Sequence, residues 1–356
     1  MESKARVIAF YLPQFHPTPE NDNFWGKGFT EWTNVGKAKQ LFKDHYQPRV
    51  PADLGYYDLR LPESRDAQAE LAKEYGIEGF CYWHYWFGNG KRTLERPFAE
   101  VLKSGKPDFP FCLGWANETW SGIWHGEDKK ILIEQTYPGK TDYEAHFLSV
   151  VEAFKDPRYI KVDGKPLVYI YRPLQIPDIT VFFEVWKKLA IEHGLAGVYF
   201  VGHCQRFEQK NEVLQLGFDA VNISRMFDIE RFTTSKLRRS VLHRVLKKLR
   251  IYDYEDASAY FVGEEEKELE CIPTIIPNWD NSPRSGSRAY IMVNSTPVKF
   301  QKHIKKVLKA IEHKPKENRI VFLKSWNEWA EGNYVEPDIV YGKEYLEAIR
   351  DEVLVK

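Results

Sequence analysis

Short apolar runs and longer segments with helical periodicity alternate along the chain. The apolar runs have the length and the β-branched and aromatic content of strands. There are eight of them: Arg6–Tyr11, Gly79–Trp86, Phe109–Trp115, Pro166–Tyr171, Val198–Gly202, Ala220–Ser224, Thr274–Pro277 and Ile320–Trp326. The clearest helical segments lie between them: Glu63–Glu74, Thr141–Phe154, Thr180–His193 and Val298–Glu312. This alternation predicts parallel βαβ units.

Several of the eight runs are apolar at nearly every position, which is typical of strands buried on both faces. The sequence therefore predicts an α/β fold, a single (β/α)8 TIM-type barrel that spans residues 1–356. A doubly wound open sheet is the alternative, but no glycine-rich phosphate turn follows any of the strands.

Two connections are longer than a barrel needs. The loop after strand one runs from Pro13 to about Pro62, and an insertion after strand six covers Phe227 to Glu270. Loops of this length in a barrel are usually functional. We expect the first loop to close one side of a pocket at the end of the strands.

Composition excludes several classes of protein. The 356 residues have a hydrophobic content of 43%, which excludes disorder, and 51 basic against 51 acidic residues, which argues against a nucleic-acid partner. We found neither a membrane span nor a signal-peptide pattern. The four cysteines are far apart, which indicates reduced core thiols in a cytoplasmic protein. We expect no metal and no cofactor.

The most informative motif follows the last strand, where Glu328 and Glu331 stand three residues apart between tryptophans. A turn at Asn327 would bring both carboxylates to one face, with Cβ atoms about 5–6 Å apart. This is close to the carboxyl spacing of roughly 5–5.5 Å in retaining glycosidases. Burial by Trp326 and Trp329 would raise the pKa of one carboxyl, so we predict that Glu328 and Glu331 are catalytic.

Aromatic and polar residues recur at the other strand ends and in the long loop. Aromatic rings can cover the apolar face of a sugar while amides and carboxylates bind its hydroxyls. Each aromatic alone could belong to the core, and His84 could be structural, but the coincidence favours a sugar pocket. The predicted substrate-binding residues are Tyr11, Phe15, His16, Trp32, Tyr82, His84, Trp86, Trp115, Asn117, Glu118, Tyr171, Arg172, Trp279, Asn327 and Trp329.

Several of these segments carry a family resemblance. Residues 11–17, 24–35, 79–87, 109–120 and 325–332 resemble the WbsX-like proteins of bacterial polysaccharide loci, which are usually labelled glycosyltransferases. The resemblance spans nearly the whole chain and weakens at about residues 227–270. The segment from Asn327 to Gly332 also resembles glycoside hydrolase family 99, the endo-α-mannosidases, which are (β/α)8 barrels.

The second resemblance implies roles for the two glutamates. Glu331 would be the acid/base, and Glu328 would deprotonate the sugar 2-hydroxyl, giving retention through an anhydro-sugar intermediate. The hydrolase family has histidine where this chain has Ala330. That departure leaves both carboxylates in place and leaves the substrate open.

A basic segment, Lys236 to Arg250, has an apolar stripe of helical spacing. One interpretation is an ordinary surface helix that pairs with the acidic stretch Glu264–Glu270. The other is contact with an anionic glycan or with a membrane that carries lipid-linked sugars. The oligomeric state stays open.

Three hypotheses follow for the function. The first is a retaining glycoside hydrolase or transglycosylase-type enzyme acting on a bacterial surface polysaccharide, of O-antigen or capsule type, or on its precursor. The second is a glycosyltransferase of lipopolysaccharide or O-antigen biosynthesis, and the third is a non-catalytic glycan-binding barrel.

The transferase hypothesis lacks its usual phosphate site in this sequence. The nearest match to an Asp-x-Asp pair, Asp253–Asp256, lies in the insertion, and Arg172 and Arg225 are the obvious cations at strand ends. We therefore expect the pocket to bind neutral oligosaccharides without a divalent metal, and nucleoside diphosphates weakly.

Overall fold

Eight parallel strands close into a barrel in the computed structural model, which describes residues 2–122, 127–229 and 249–355, with the backbone alone for 127–130 and 227. The barrel strands are β1 (Arg6–Tyr11), β2 (Gly79–His84), β3 (Phe111–Trp115), β4 (Lys165–Ile170), β5 (Tyr199–Cys204), β6 (Ala220–Ile223), β7 (Cys271–Ile275) and β8 (Ile320–Leu323). Each strand pairs in parallel with the next, and β8 pairs with β1 to close the ring. The predicted (β/α)8 barrel is confirmed.

Helices cover the outside of the barrel between these strands. The described α-helices are α1 (Pro19–Trp25), α2 (Glu31–Gly36), α3 (Pro62–Glu74), α4 (Arg96–Ser104), α5 (Lys140–Lys155), α6 (Ile179–Glu192), α7 (Lys210–Gln215), α8 (Tyr254–Ser258), α9 (Ser282–Ser285), α10 (Pro297–Ile311) and α11 (Glu344–Val353). The four helices predicted from periodicity are α3, α5, α6 and α10, and their observed ends agree within one residue. Helix α10 shows why: Thr296 caps its N-terminus by accepting a hydrogen bond from the Lys299 amide, and Pro297 follows.

Alternate strand residues fill the barrel interior with stacked aromatic rings. The ring of Phe10 lies 4.8 Å from that of Trp83, 4.9 Å from Tyr169 and 5.0 Å from Phe322, measured between centroids. The intervening residues, such as Tyr11 and Tyr82, point outward, where Tyr11 donates a hydrogen bond to Gln68 of α3 and Tyr82 packs on Phe98 of α4. This packed interior forms the floor beneath the C-terminal opening of the barrel.

Two accessory pieces decorate the barrel. An antiparallel hairpin after β3 pairs Trp120–Gly122 with Glu127–Ile133. A two-stranded parallel sheet pairs Arg250–Asp253, from the insertion after β6, with Tyr290–Val293, which follows β7. A fifth short strand, Lys161–Val162, pairs antiparallel with the start of β4. The sequence analysis predicted none of these five short strands.

The chain ends meet at the N-terminal end of the barrel. The Lys4 amide donates a hydrogen bond to the Val353 carbonyl, and the Val355 amide donates to the Glu2 carbonyl. All four cysteines are buried and free, as expected for core thiols. None of the helices in the described ranges is long and apolar enough to span a membrane.

Candidate active site

A pocket of about 970 Å³, its open mouth included, lies at the C-terminal end of the barrel, where barrel enzymes place their chemistry. Four pieces of chain form its wall: the strand ends, the long loop after β1, the hairpin after β3 and helix α9 after β7, which contributes Arg284. The lining residues are Leu12, Gln14, Trp25, Glu31, Asn34, Trp83, Tyr85, Ala116, Glu118, Thr119, Trp120, Ser121, Leu132, Tyr171, Arg284, Lys324, Glu328 and Glu331. The long loop therefore closes one side of the pocket, as expected.

Glu328 and Glu331 lie on the tight turn that follows β8. Trp329–Glu331 form one turn of 3-10 helix, so both carboxylates reach the same pocket although each residue is less than 9% exposed. The Asp280 amide donates a 2.7 Å hydrogen bond to the Glu331 carbonyl. Gly332 follows at φ 66°, and a Cβ there would lie 3.0 Å from the Asp280 backbone, so this position needs glycine.

Arg284 of α9 holds both catalytic candidates at once. Its Nη1 donates to Glu331 Oε1 at 2.8 Å, and its Nη2 lies 3.5 Å from Glu328 Oε2. The same guanidinium donates to Glu31 Oε1 from Nε at 3.0 Å and from Nη2 at 2.5 Å. One arginine thus faces three carboxylates from α2 and from the turn after β8.

Among the carboxyls of the pocket wall, Glu328 has a clearly shifted pKa. Burial raises its pKa to about 7, and the charge of Glu331 acts in the same direction, while Arg284 and Lys324 lower it. The Trp83 indole donates a 3.1 Å hydrogen bond to Glu328 Oε1. A carboxyl with a pKa near neutrality can exchange protons at physiological pH. The expected burial of one carboxyl is therefore present, and Trp83, which the sequence analysis did not name, contacts it.

Two Asn-Glu pairs occupy equivalent places at the barrel mouth. Asn327 accepts a 2.7 Å hydrogen bond from the Leu12 amide and donates to the Leu12 carbonyl at 3.1 Å, which joins the ends of β8 and β1. Asn117 joins the ends of β3 and β4 in the same way, through the amide and carbonyl of Arg172. In each pair the next residue, Glu328 or Glu118, lines the pocket.

The predicted site residues divide into three groups. Glu118, Tyr171, Glu328 and Glu331 line the pocket. A second group surrounds and supports it: Trp32, Asn117, Arg172, Asn327 and Trp329. Arg172 pairs with Glu118 at 2.5 Å, and the Trp329 indole, 5.5 Å from the ring of Trp32, donates to Glu336 at 2.6 Å.

The third group lies in the core, outside the pocket wall: Tyr11, Phe15, His16, Tyr82, His84, Trp86, Trp115 and Trp279. Strand periodicity explains most of these positions. Side chains alternate between the two faces of a strand, so Trp83 and Tyr85 face the pocket while His84 and Trp86 face α5. His84 lies 2.8 Å from His146, and the Trp86 indole donates to Asp142.

Our sequence analysis did not propose Trp83, Tyr85, Glu31, Arg284 or Lys324. Alternation along β2 puts Trp83 and Tyr85 on one face and Tyr82 and His84 on the other, but both faces are aromatic, so the pattern does not say which one meets the pocket. No sequence signal brings Glu31 and Arg284 together, since they are separated by 253 residues.

The other charged candidates lie away from the pocket. Arg225 is buried and pairs with Glu265 and Glu266, which also gives two residues of the acidic stretch a partner. Asp253 accepts a hydrogen bond from Asn294. The basic segment lies outside the described residues except at Leu249 and Arg250. Within the described ranges, no group of three or more His, Cys, Asp or Glu residues has the geometry of a metal site.

Comparison with solved structures shows which fold this is. A glycoside hydrolase-like protein superposes with a TM-score of 0.67 at 16% identity, covering 100% of this chain and 95% of that one. The GH99 endo-alpha-mannosidase from Bacteroides thetaiotaomicron superposes with a TM-score of 0.61 at 13% identity, covering 97% of this chain and 96% of the mannosidase. At these identities the likeness shows the shared barrel fold.

Sequence comparison identifies the family. The uncharacterized protein WxcX of Xanthomonas campestris pv. campestris strain B100 is 35% identical over 348 residues, which is 97% of this chain and 49% of WxcX. WxcX of strain ATCC 33913 is also 35% identical, over 355 residues. The chain spans about half the length of the curated relatives it matches. The family model described as glycosyltransferase WbsX matches residues 7–349, so the chain belongs to the WbsX family.

Proposed function

We propose that the protein is a retaining glycoside hydrolase or transglycosylase-type enzyme that acts on a bacterial surface polysaccharide, of O-antigen or capsule type, or on its precursor. The observation that carries the proposal is the pair Glu328 and Glu331, which share one turn, one pocket and one arginine. Two carboxylates flanking one bond are what glycoside hydrolysis requires. We also propose a cytoplasmic location, which the four buried, unpaired cysteines support.

The roles of the two glutamates follow the family 99 resemblance. Glu331 donates a proton to the glycosidic oxygen while Glu328 takes the proton of the sugar 2-hydroxyl. The 2-oxygen then bonds to C1 as the C1–leaving-group bond breaks, which gives an anhydro sugar. Water or a second sugar hydroxyl then attacks C1 and gives its proton to Glu331, the bond between C1 and the 2-oxygen breaks, and Glu328 returns its proton to the 2-oxygen. The raised pKa of Glu328 makes it a stronger base than an ordinary carboxylate, which suits this role.

The remaining wall suits a pyranose ring. Trp25, Trp83, Tyr85, Trp120 and Tyr171 line the pocket from four different pieces of chain. Aromatic faces pack on sugar C–H groups, and the carboxamides of Gln14 and Asn34, also in the wall, can bind hydroxyls. A pocket of this composition favours an oligosaccharide or polysaccharide over a nucleic acid.

The second candidate function is a glycosyltransferase, which the description of the family model favours. The two strand-end arginines that the sequence analysis named both have carboxylate partners: Arg172 pairs with Glu118, and Arg225 pairs with Glu265 and Glu266. Asp253 and Glu255 interact with lysines of α10, and neither lines the pocket. These contacts support the hydrolase chemistry over nucleotide-sugar transfer.

Glutamine variants test the proposal. We expect Glu331→Gln and Glu328→Gln each to lower turnover of a cleaved or transferred polysaccharide about 10²–10⁴-fold, because an amide neither donates nor accepts the proton. Glycan binding measured by calorimetry should remain. Glu312→Gln, at an exposed position after α10, is the matched control and should keep full activity. Near-wild-type turnover in either pocket variant would remove that residue from the mechanism.

A second arm separates the two candidate functions. Calorimetry with uridine and guanosine diphosphate sugars, with and without magnesium or manganese, should show weak or no binding. Micromolar, metal-dependent binding that Glu328→Gln or Glu331→Gln abolishes would favour the transferase. A substrate deoxygenated at C2 should be inert in the hydrolase assay, and its turnover would favour direct displacement.

A further inference from the structure

We infer that the pocket recognises a glycan with a carboxylate group, such as a uronic acid residue, and that the Lys324 ammonium binds this carboxylate. The inference rests on the proposed function and adds the charge class of its substrate. It also changes the sequence-based expectation of a neutral oligosaccharide.

Lys324 stands at the centre of the barrel mouth. It follows β8 directly and is two residues beyond Phe322, whose ring packs 5.0 Å from Phe10 inside the barrel. Strand alternation therefore turns Lys324 inward as well, on top of this aromatic floor. Its Nζ lies 5.4 Å from the ring centre of Trp279 and 6.0 Å from that of Phe10, and the side chain lines the pocket.

The ammonium of Lys324 differs from the other cations at the pocket because no described carboxylate pairs with it. Arg284 has three glutamate partners, and Arg172 has Glu118. The Lys324 ammonium forms no hydrogen bond or ion pair with any residue in the described ranges, although the residue is half-buried. Charged groups that are removed from water are normally paired in folded proteins. An anion supplied by the substrate would complete the pairing.

The charge around Lys324 favours one negative charge over two. Glu328 is near enough for the lysine to lower its pKa, and Glu31 and Glu331 lie on the same wall. These carboxylates would repel the dense charge of a diphosphate. A single carboxylate adds one negative charge to this wall, fewer than a diphosphate would add, and it can pair directly with the Lys324 ammonium.

The test compares matched glycans in the Glu328→Gln background, where substrate is not consumed and Glu328 cannot titrate. The probes are tetrasaccharides of polygalacturonate, hyaluronan and alginate, and their carboxyl-reduced counterparts, which carry CH2OH in place of COO−. Calorimetry should show at least one acidic member binding about ten-fold more tightly than its reduced form, the size expected for one charge-assisted hydrogen bond.

Three further substitutions locate the effect. Lys324→Met should abolish the preference for the acidic member, and Lys324→Arg should keep most of it. Lys316→Met removes an exposed positive charge at the opposite end of the barrel and should change nothing. If the reduced forms bind as tightly as the acidic ones, or Lys324→Met keeps the preference, the inference is wrong and the glycan function stands.

Two other outcomes would refute the carboxylate assignment or the glycan function itself. Tighter binding of glucose 1-phosphate or a uridine diphosphate sugar than of any uronate, lost in Lys324→Met, would assign the ammonium to phosphate and refute the carboxylate. If neither acidic nor reduced oligosaccharides bind, the proposed glycan function itself fails together with the inference.

Discussion

At the scale of single residues, the chemistry of the pocket depends on how one arginine distributes its charge over three glutamates. Arg284 contacts Glu31, Glu328 and Glu331, and its charge lowers the pKa of Glu328 against the effect of burial. The role proposed for Glu328 requires it to be ionised before it accepts a proton, so we expect kcat/KM of the wild type to fall as the pH drops below about 7.

Replacing Arg284 should change the pH at which kcat/KM falls, which is the acidic limb of the pH profile. In Arg284→Met the Lys324 charge still opposes the effect of the Glu331 charge on Glu328 but the Arg284 charge no longer does, so the pKa of Glu328 rises and the fall in kcat/KM shifts to higher pH. Arg284→Lys should cause a smaller shift than Arg284→Met because the positive charge is kept. It should still cause some shift, since an ammonium cannot contact all three carboxylates. The pH profiles of kcat/KM measure both effects. Arg350→Met, on α11 beside Asp351, is the control, and an unchanged limb in Arg284→Met would contradict the charge argument.

The residues near this arginine also show where sequence reasoning reached its limit. The motif around Glu328 and Glu331 predicts a shared pocket because a turn between them is local. The pairing of Glu31 with Arg284 depends on how a loop after the first strand folds against a helix after the seventh, and no local pattern encodes it. Trp83 and Tyr85 were within reach, but choosing between the two faces of β2 needs the register of its neighbours.

At the scale of elements, β2 and α5 are joined by a buried pair of histidines. His84 Nε2 lies 2.8 Å from His146 Nε2, so one ring donates and the other accepts a hydrogen bond, and both are neutral. Burial, reinforced by Arg92, lowers the pKa of His84 to about 3, and burial together with His84 lowers the pKa of His146 well below its usual value. The Trp86 ring stacks 4.8 Å from His146.

This pair should make stability depend on pH in a definite direction. Below about pH 6.5 the two histidines bind protons in the unfolded chain but stay neutral in the folded protein. The free energy of unfolding therefore decreases as the pH falls, by about 1.4 kcal/mol per pH unit for each histidine. Urea unfolding of wild type and of a double variant, His84→Leu with His146→Leu, measures this slope between pH 7 and 5.

The double variant should show a shallower slope than the wild type. Comparing the two chains is necessary because Glu328 and Glu336, whose pKa values burial raises to about 7, oppose the trend. These two carboxyls hold protons in the folded state, so their contribution to the free energy of unfolding decreases as the pH rises from about 4.5 to 7. His313→Leu, at an exposed position, should keep the wild-type slope. A double variant with the wild-type slope would show that the pair is not the source.

Element boundaries followed from the sequence where patterns were long. The helices α3, α5, α6 and α10 have ten or more residues and clear apolar faces, and the eight barrel strands are nearly continuous apolar runs. The hairpin that supplies Trp120 and Leu132 to the pocket was not predicted. Its first strand, Trp120–Gly122, is three residues long, which is too short for a period of two to show.

At the scale of the whole molecule, the barrel separates its chemistry from its chain ends. The pocket opens at the C-terminal end of the strands, and Glu2, Lys4, Val353 and Val355 hydrogen-bond to one another at the opposite end. The fold itself could be predicted because alternating strands and helices permit few closed arrangements. The location of the pocket then followed from the barrel, before any residue in it was assigned.

Because residues 2–4 and 353–355 are hydrogen-bonded to each other, they can be joined by a short linker and the chain can be opened elsewhere. A circular permutant that links Val355 to Glu2 by a short glycine–serine bridge, with new ends in the exposed turn between α6 and β5 at Gly194, should fold with the same thermal midpoint within a few degrees and bind the same glycans. A protein domain inserted into the glycine–serine linker would lie at the N-terminal end of the barrel, so the pocket at the C-terminal end would stay accessible to a long polymer. Loss of glycan binding in a folded permutant would show that the two ends of the barrel communicate.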